Sequence, residues 1–193
     1  MINQNFIFIG LLLQTYGGWQ YFIDTIKGKI QPNRVSWFLW SLAPLIAFAA
    51  EVKQGVGVQS LTTFIVGFIP LVVFIASFVN RKAVWKLGVF DFICGLLSVL
   101  GLILWLVTKV GNIAILFSIF ADALAAVPTI VKSYKAPESE SVGVYSFGVI
   151  NAAITILTIR QWNFANWGYP VYLVLLDTLI TVLISFKLGK RLK

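Results

Sequence analysis

Histidine is absent from the 193 residues, and there is one cysteine, Cys94. These absences exclude a disulfide framework, zinc sites, haem ligation by histidine and every imidazole-based catalytic triad. No metal or cofactor is expected. Acidic side chains are scarce too, seven Asp and Glu against fifteen Lys and Arg. With 11% charged residues, the chain has far less polar surface to offer than a soluble domain of this size needs. A soluble enzyme, a nucleic-acid binder and a disordered protein are therefore poor readings. Neither paired carboxylates at short fixed spacing nor a nucleophile–base motif is visible, so no enzyme is expected.

What the chain has is apolar. Its AVILMFWYC share is 59%, and mean hydropathy is +0.91. A helix crossing the hydrocarbon layer needs roughly 20 mostly apolar residues. Seven stretches qualify, at about 5–26, 35–52, 57–79, 88–108, 112–132, 142–160 and 166–186. The first lacks a basic leader and a small-residue cleavage site, and its apolar run is long for a signal peptide, so it reads as retained. The expected fold class is thus an all-α polytopic membrane protein with seven transmembrane helices. Twelve Lys and Arg follow stretches 1, 3, 5 and 7: Lys27, Lys29, Arg34, Arg81, Lys82, Lys86, Lys132, Lys135, Lys187, Lys190, Arg191 and Lys193. The other side has Lys53, Lys109 and Arg160. The positive-inside rule makes the richer side cytoplasmic, with the N-terminus outside. The expected location is the cell (inner or plasma) membrane. The lone cysteine and the lack of N-x-[ST] sites fit a bacterial inner membrane. Trp37, Trp85, Trp162 and Trp167 fall near stretch ends and read as interfacial anchors.

A repeat emerges when stretches 1 and 5 are aligned. Lys27 matches Lys132 and Pro32 matches Pro137 at one offset, and Ser36 matches Ser146 at an offset five residues longer. Two parallel three-helix units joined by an inverting helix would give a 3-1-3 plan: residues 1–80, a linker helix in 81–110, and 111–193. Parallel repeats about an axis along the membrane normal place a solute site near the midplane between the repeats.

The segment from Ala126 to Ser146, with Pro128, Lys132, Tyr134, Lys135 and Gly143, resembles the PQ-loop motif of the SWEET and PQ-loop superfamily. That motif ends a helix with Pro-Gln, continues through a basic, tyrosine-containing loop and opens the next helix at a Ser. Thr129 stands where the motif has Gln, and Ile23 and Asp24 occupy the Pro-Gln positions of the first copy. The segment from Gln31 to Trp40 resembles a bacterial branch of the superfamily. The resemblance implies seven helices in the 3-1-3 arrangement and alternating access with proline hinges, which here would be Pro44 and Pro128. The superfamily takes sugars, amino acids and vitamins, so the resemblance leaves the solute open.

Several polar residues fall at mid-stretch. Asp122 and Asp177 each lie near the centre of a stretch, where an ionised carboxylate costs on the order of 2.5–3.5 kcal/mol. No Lys or Arg lies at mid-stretch to pair with them. Each must carry a proton, bridge helices or face a water-filled cavity, so both are candidates for substrate binding and proton coupling. Asn151, which aligns with Ser41, together with Gln14, Tyr16 and Trp40, completes the candidate solute-binding set. Tyr172 lies five residues from Asp177, about 140° around a helix, so the two are not expected to share a face. Asp24 is expected to pair with Lys27, and Glu138 and Glu140 to be solvated loop residues. Gly17, Gly18, Gly67 and Gly95 are expected at close helix crossings.

The sequence is read as a transporter for a small polar solute, working as a facilitator or coupled to protons. Its partners are the bilayer and the solute, not nucleic acid. Both repeats are in one chain, so a monomer suffices. The alternative is a non-transporting membrane receptor or sorting protein on the same fold, although the short loops offer little partner surface. A seven-helix photoreceptor would need a Lys within a helix, and Lys187 lies at a helix end.

Overall fold

The computed structural model describes residues 2–53, 60–108, 111–160 and 162–191. Lys109 and Lys193 lie outside the described residues, as do the side chains of Glu51, Lys53 and Arg191. The chain is all-helical: α1 Phe6–Ile26, α2 Arg34–Lys53, α3 Ser60–Ala76, α4 Val89–Thr108, α5 Gly111–Lys135, a 3-10 turn Pro137–Ser139, α6 Val142–Thr158, α7 Phe164–Phe186 and α8 Leu188–Arg191. Each of the seven apolar stretches is a helix, and no strand is present among the described residues.

Local chemistry sets several helix ends. α1 stops in a Schellman turn: Gly28 is left-handed at φ 70°, its N–H donates to Thr25 O at 3.0 Å, and Lys29 N–H donates to Asp24 O at 2.9 Å. Asn80 Nδ2 covers the Ile26 carbonyl at 2.8 Å. This turn brings Lys29 back over the helix, so Asp24 pairs with Lys29 at 3.4 Å and not with Lys27 as expected. Asn33, after Pro32, caps α2 by accepting from Val35 N at 3.1 Å and Ser36 N at 3.3 Å. Asp91 reaches back to Gly88 N at 2.6 Å at the start of α4, and accepts from Asn33 Nδ2 at 2.7 Å. α7 begins on Asn163, which accepts from Asn166 N at 3.0 Å.

Six helices form a closed ring. α3 packs between α1 and α2, and α7 packs between α5 and α6. α1 rests on α6, and α2 rests on α5, which closes the circuit. α4 lies outside the ring against α5 and α2. Close approach uses glycine where expected: Gly17 faces the α6 backbone at Gly143 and Val144, Gly18 faces Ile69, Gly67 faces Leu45 and Gly95 faces Val35. The core includes Tyr21, Trp37, Val73, Ala126, Tyr145 and Ile180. Trp37 is therefore no interfacial anchor: at 2% exposure it lies inside the ring, against Tyr21 with centroids 4.4 Å apart.

The loops tie one end of the ring together. Gln31 N donates to Ser139 O at 2.8 Å, Gln31 Nε2 to Lys82 O at 3.2 Å, and Lys190 pairs with Glu138 at 2.7 Å. The ends of α1, α3, α5 and α7 therefore meet the starts of α2, α4 and α6, and the basic clusters following α1, α3, α5 and α7 share one end of the bundle. At the opposite end Ile2 N donates to Leu157 O at 3.1 Å.

Of the described helices, Asn166–Phe186 is long and apolar enough to cross a membrane. Phe64–Ala76, Val89–Leu104 and Val142–Thr158 are apolar but shorter. In α1, Gln14, Gln20 and Asp24 interrupt the apolar run.

Candidate functional site

A cavity of about 80 Å³ lies inside the ring. Every ring helix contributes to its wall: Gln14 from α1, Trp37 and Trp40 from α2, Val66, Ile69 and Pro70 from α3, Asp122 from α5, Val144, Tyr145, Gly148 and Asn151 from α6, and Tyr169, Leu173, Leu176 and Asp177 from α7. The contributing positions follow helical stripes. On α6 they recur at 144, 148 and 151, and on α7 at 169, 173, 176 and 177, which keeps one face of each helix on the cavity.

Five of the seven candidate solute-binding residues meet here: Gln14, Trp40, Asp122, Asn151 and Asp177. The other two do not. Tyr16 points out of the ring at 54% exposure and packs edge-on against Phe147 at 5.7 Å. Ser41 is buried and donates to the Phe38 carbonyl of its own helix at 2.7 Å.

The two carboxylates are held differently. Asp122 accepts from Tyr172 Oη at 2.7 Å and from Tyr169 Oη at 3.2 Å. Tyr172 and Asp177 sit on different faces of α7, as expected, with Tyr172 packed against the core and Asp177 on the cavity. Asp177 makes no hydrogen bond or ion pair among the described residues. Its carboxylate lies against Gly148, where a Cβ would collide with Oδ2. Asn151 donates through Nδ2 to Gln14 Oε1, which joins α6 to α1. Asn151 Oδ1 and Trp37 Nε1 are buried without a hydrogen-bond partner. Trp40 Nε1 donates to the Asp122 carbonyl at 3.4 Å, which joins α2 to α5. The Trp37 and Trp40 rings stand edge to face at 5.6 Å.

A buried polar layer separates the cavity from the basic end. Tyr145 lines the cavity, and its hydroxyl donates to Glu140 Oε2 at 3.1 Å. Tyr21 Oη donates to the same oxygen at 2.6 Å. Glu140 Oε1 pairs with Lys132 Nζ, both side chains being fully buried, and Lys132 also donates to Gln31 O. The Trp85 ring lies 5.4 Å from Lys132 Nζ. Glu140 is thus no solvated loop residue. It is the acceptor on which α1, α5 and α6 converge, and the expectation for it is corrected. Glu138 does stay exposed. Lys190 holds its carboxyl below the usual range, helped by its own backbone N–H.

Pro44 and Pro128, the expected hinges, lie inside α2 and α5, and Pro70 and Pro170 lie inside α3 and α7. Each removes one helical hydrogen bond. Among the described residues no group of three or more Cys, Asp or Glu is placed to hold a metal ion. The expected solute-binding set omits Tyr169, and the sequence does not single out Lys132, Glu140, Tyr21 and Tyr145 as one layer. The spacing of Tyr169 to Asp177, eight residues or about 80° around a helix, was an available signal.

No family model matches the chain, and no curated protein or solved structure matches it.

Proposed function

We propose that the chain crosses a cell membrane seven times and carries a small polar solute by alternating access between α1–α3 and α5–α7, on the SWEET-like plan its sequence resembles. The observation that carries this reading is the cavity. It lies inside the ring, draws on both helix triplets, and gathers four mid-helix polar residues, Gln14, Asp122, Asn151 and Asp177, that are expensive to place in an apolar bundle without a use.

The outer surface supports a bilayer. On α4, Val89 is 77% exposed, Leu96 64% and Val107 71%. Phe8, Leu12, Ile75 and Leu175 are likewise exposed on other helices. Such a continuous apolar exterior is far beyond what a monomer shows to water. The Asn166–Phe186 segment has 22% of its apolar window buried, unlike the core helix of a soluble protein. In this reading the basic end faces the cytoplasm and anionic lipid head groups, and the N-terminus is outside.

Two bonds between the triplets, Asn151 to Gln14 and Trp40 to the Asp122 carbonyl, cross the line along which the halves would part. The polar layer around Glu140 closes the cytoplasmic side. Pro44 and Pro128 supply bending points. Asp177, unpaired and facing the cavity, is the first candidate to carry a proton, and Asp122 the second.

Solute counterflow in proteoliposomes, with a mixed panel of sugars, amino acids and vitamins, tests the reading. Wild type should exchange at least one solute, and folded Asp177→Asn should lose most of that flux. A folded wild type that moves no solute across the panel, while a soluble protein co-purifies with it stoichiometrically, would replace transport with the receptor reading.

A further inference from the structure

We infer that the cavity is built for a small organic monocation, an amine or quaternary ammonium group, held by Asp177 and the Trp37–Trp40 wall. This rests on the reading of the cavity as a solute site.

Two carboxylates face the cavity, and among the described residues neither Lys nor Arg does. The buried cation beyond the wall, Lys132, is committed to Glu140 and the Gln31 carbonyl. The phenol hydroxyls are committed as well: Tyr169 and Tyr172 donate to Asp122, and Tyr145 donates to Glu140. Among the described residues the unmet charge on the wall is negative. Asp177 makes no hydrogen bond or ion pair among the described residues; Asn151, 5% exposed, also has an unpartnered Oδ1, which lies against Gly10 of α1. Against these stand few donors, the Trp37 indole N–H and the Gln14 amide.

An anion would meet two carboxyl groups and, among the described lining residues, no cationic side chain. A neutral polyol brings an acceptor with every donor, and those acceptors would find few N–H groups. A cation answers both demands. Its charge offsets Asp177 in a site where water screens poorly. Its C–H or N–H surface lies on indole faces that attract positive charge. Size limits the class: at about 30 Å³ per water, a cavity of about 80 Å³ holds on the order of three waters, room for a small ammonium headgroup.

The test is equilibrium binding of radiolabelled choline to the purified full chain in detergent, with tetramethylammonium and erythritol as competitors. Choline should bind saturably and be displaced by tetramethylammonium but not by erythritol. Asp177→Asn should weaken binding about thirtyfold or more, as loss of one partner of a buried charge pair does. Asp177→Glu should retain part of it. Trp40→Leu should weaken binding by roughly threefold to tenfold, the range of a partly desolvated cation–π contact. Lys190→Ala, at the far basic end, should bind as wild type. Equal displacement by erythritol, wild-type affinity in a folded Asp177→Asn, or no choline retained by monodisperse wild type would each overturn the inference. If the same preparation exchanges a neutral solute in proteoliposomes and binds no choline, the cation is wrong and transport stands. If choline binds and nothing is exchanged, the cation site stands and transport is wrong.

Discussion

Helices α1, α2 and α3 face the cavity with Trp37, Trp40, Val66, Ile69, Pro70 and a single amide, Gln14, whereas α5, α6 and α7 add Asp122, Tyr145, Asn151, Tyr169 and Asp177 to their own apolar lining of Val144, Gly148, Leu173 and Leu176. The two triplets occupy equivalent places in the ring, yet one supplies an aromatic and aliphatic wall and the other supplies the charge. The same division holds at the basic end. Lys27 and Lys132 are matched residues, but Lys27 is exposed beside the Schellman turn that ends α1, while α5 runs on to Lys135 and buries Lys132. The extra residues of the second loop bring Glu140 beneath it, and the first loop has no acidic counterpart. Equivalent places in the ring require helices of similar shape. They leave each triplet free to differ in its polar groups.

The sharpest way to break that comparison is to remove the matched lysines in turn. Lys132→Met leaves Glu140 buried without its cation and should cost about 3–5 kcal/mol. Lys27→Met, at an exposed site, should stay within about 0.5 kcal/mol. Equilibrium unfolding in mixed micelles reads both. Similar losses at the two sites would mean that the polar layer is not a special feature of the second triplet. Adding Glu140→Gln to Lys132→Met should restore part of the loss, since the stranded charge is then gone.

A second pair of substitutions tests the charged wall itself. Gly148→Ala places a methyl group on Asp177 Oδ2 and should cost about 1–3 kcal/mol as overpacking, with loss of solute binding. Gly143→Ala, on the same helix, meets only the far end of the Gln20 side chain, at 3.2 Å, and should change neither by much. Unfolding and binding measured on both variants separate a tight cavity from a generally intolerant helix. Intact binding in Gly148→Ala would remove Asp177 from the solute's surroundings.

The helices were legible because a long apolar run has few alternatives to a helix. Depth was legible as well: Gln14, Asp122, Asn151 and Asp177 are mid-helix and reach the cavity. Azimuth was less so. Tyr16 lies two residues from Gln14, about 200° around α1, which turns it outward. Trp37 was read by its distance from a helix end, although its face puts it in the core. Glu140 was missed for a different reason. Loop residues are solvated by default, and its burial depends on Lys132, Tyr21 and Tyr145 converging from three helices. No local pattern encodes that convergence. Asp24 pairs with Lys29 because Gly28 reverses the chain, and helical spacing alone points to Lys27.

The smallest expected effect lies at the exposed rim of the second triplet, and it measures how far the buried layer differs from an ordinary surface pair. Lys190 and Glu138 meet at 2.7 Å with side chains 51% and 59% exposed. Such pairs contribute about 0.2–1 kcal/mol, and this degree of exposure puts it at the low end. Because Lys190 holds the Glu138 carboxyl below its usual value, the contribution is complete above about pH 4.3 and disappears as the pH falls through the lower folded value. Lys190→Ala should therefore lower stability slightly at pH 7 and not at all at the acid end of that range, and moderate salt should shrink the difference further. The buried Lys132–Glu140 pair should show no such sensitivity to salt, since no solvent reaches either side chain. Unfolding curves for Lys190→Ala and Lys132→Met at low and high ionic strength test this directly. Equal salt dependence in the two variants would mean that water reaches the layer between the cavity and the basic end.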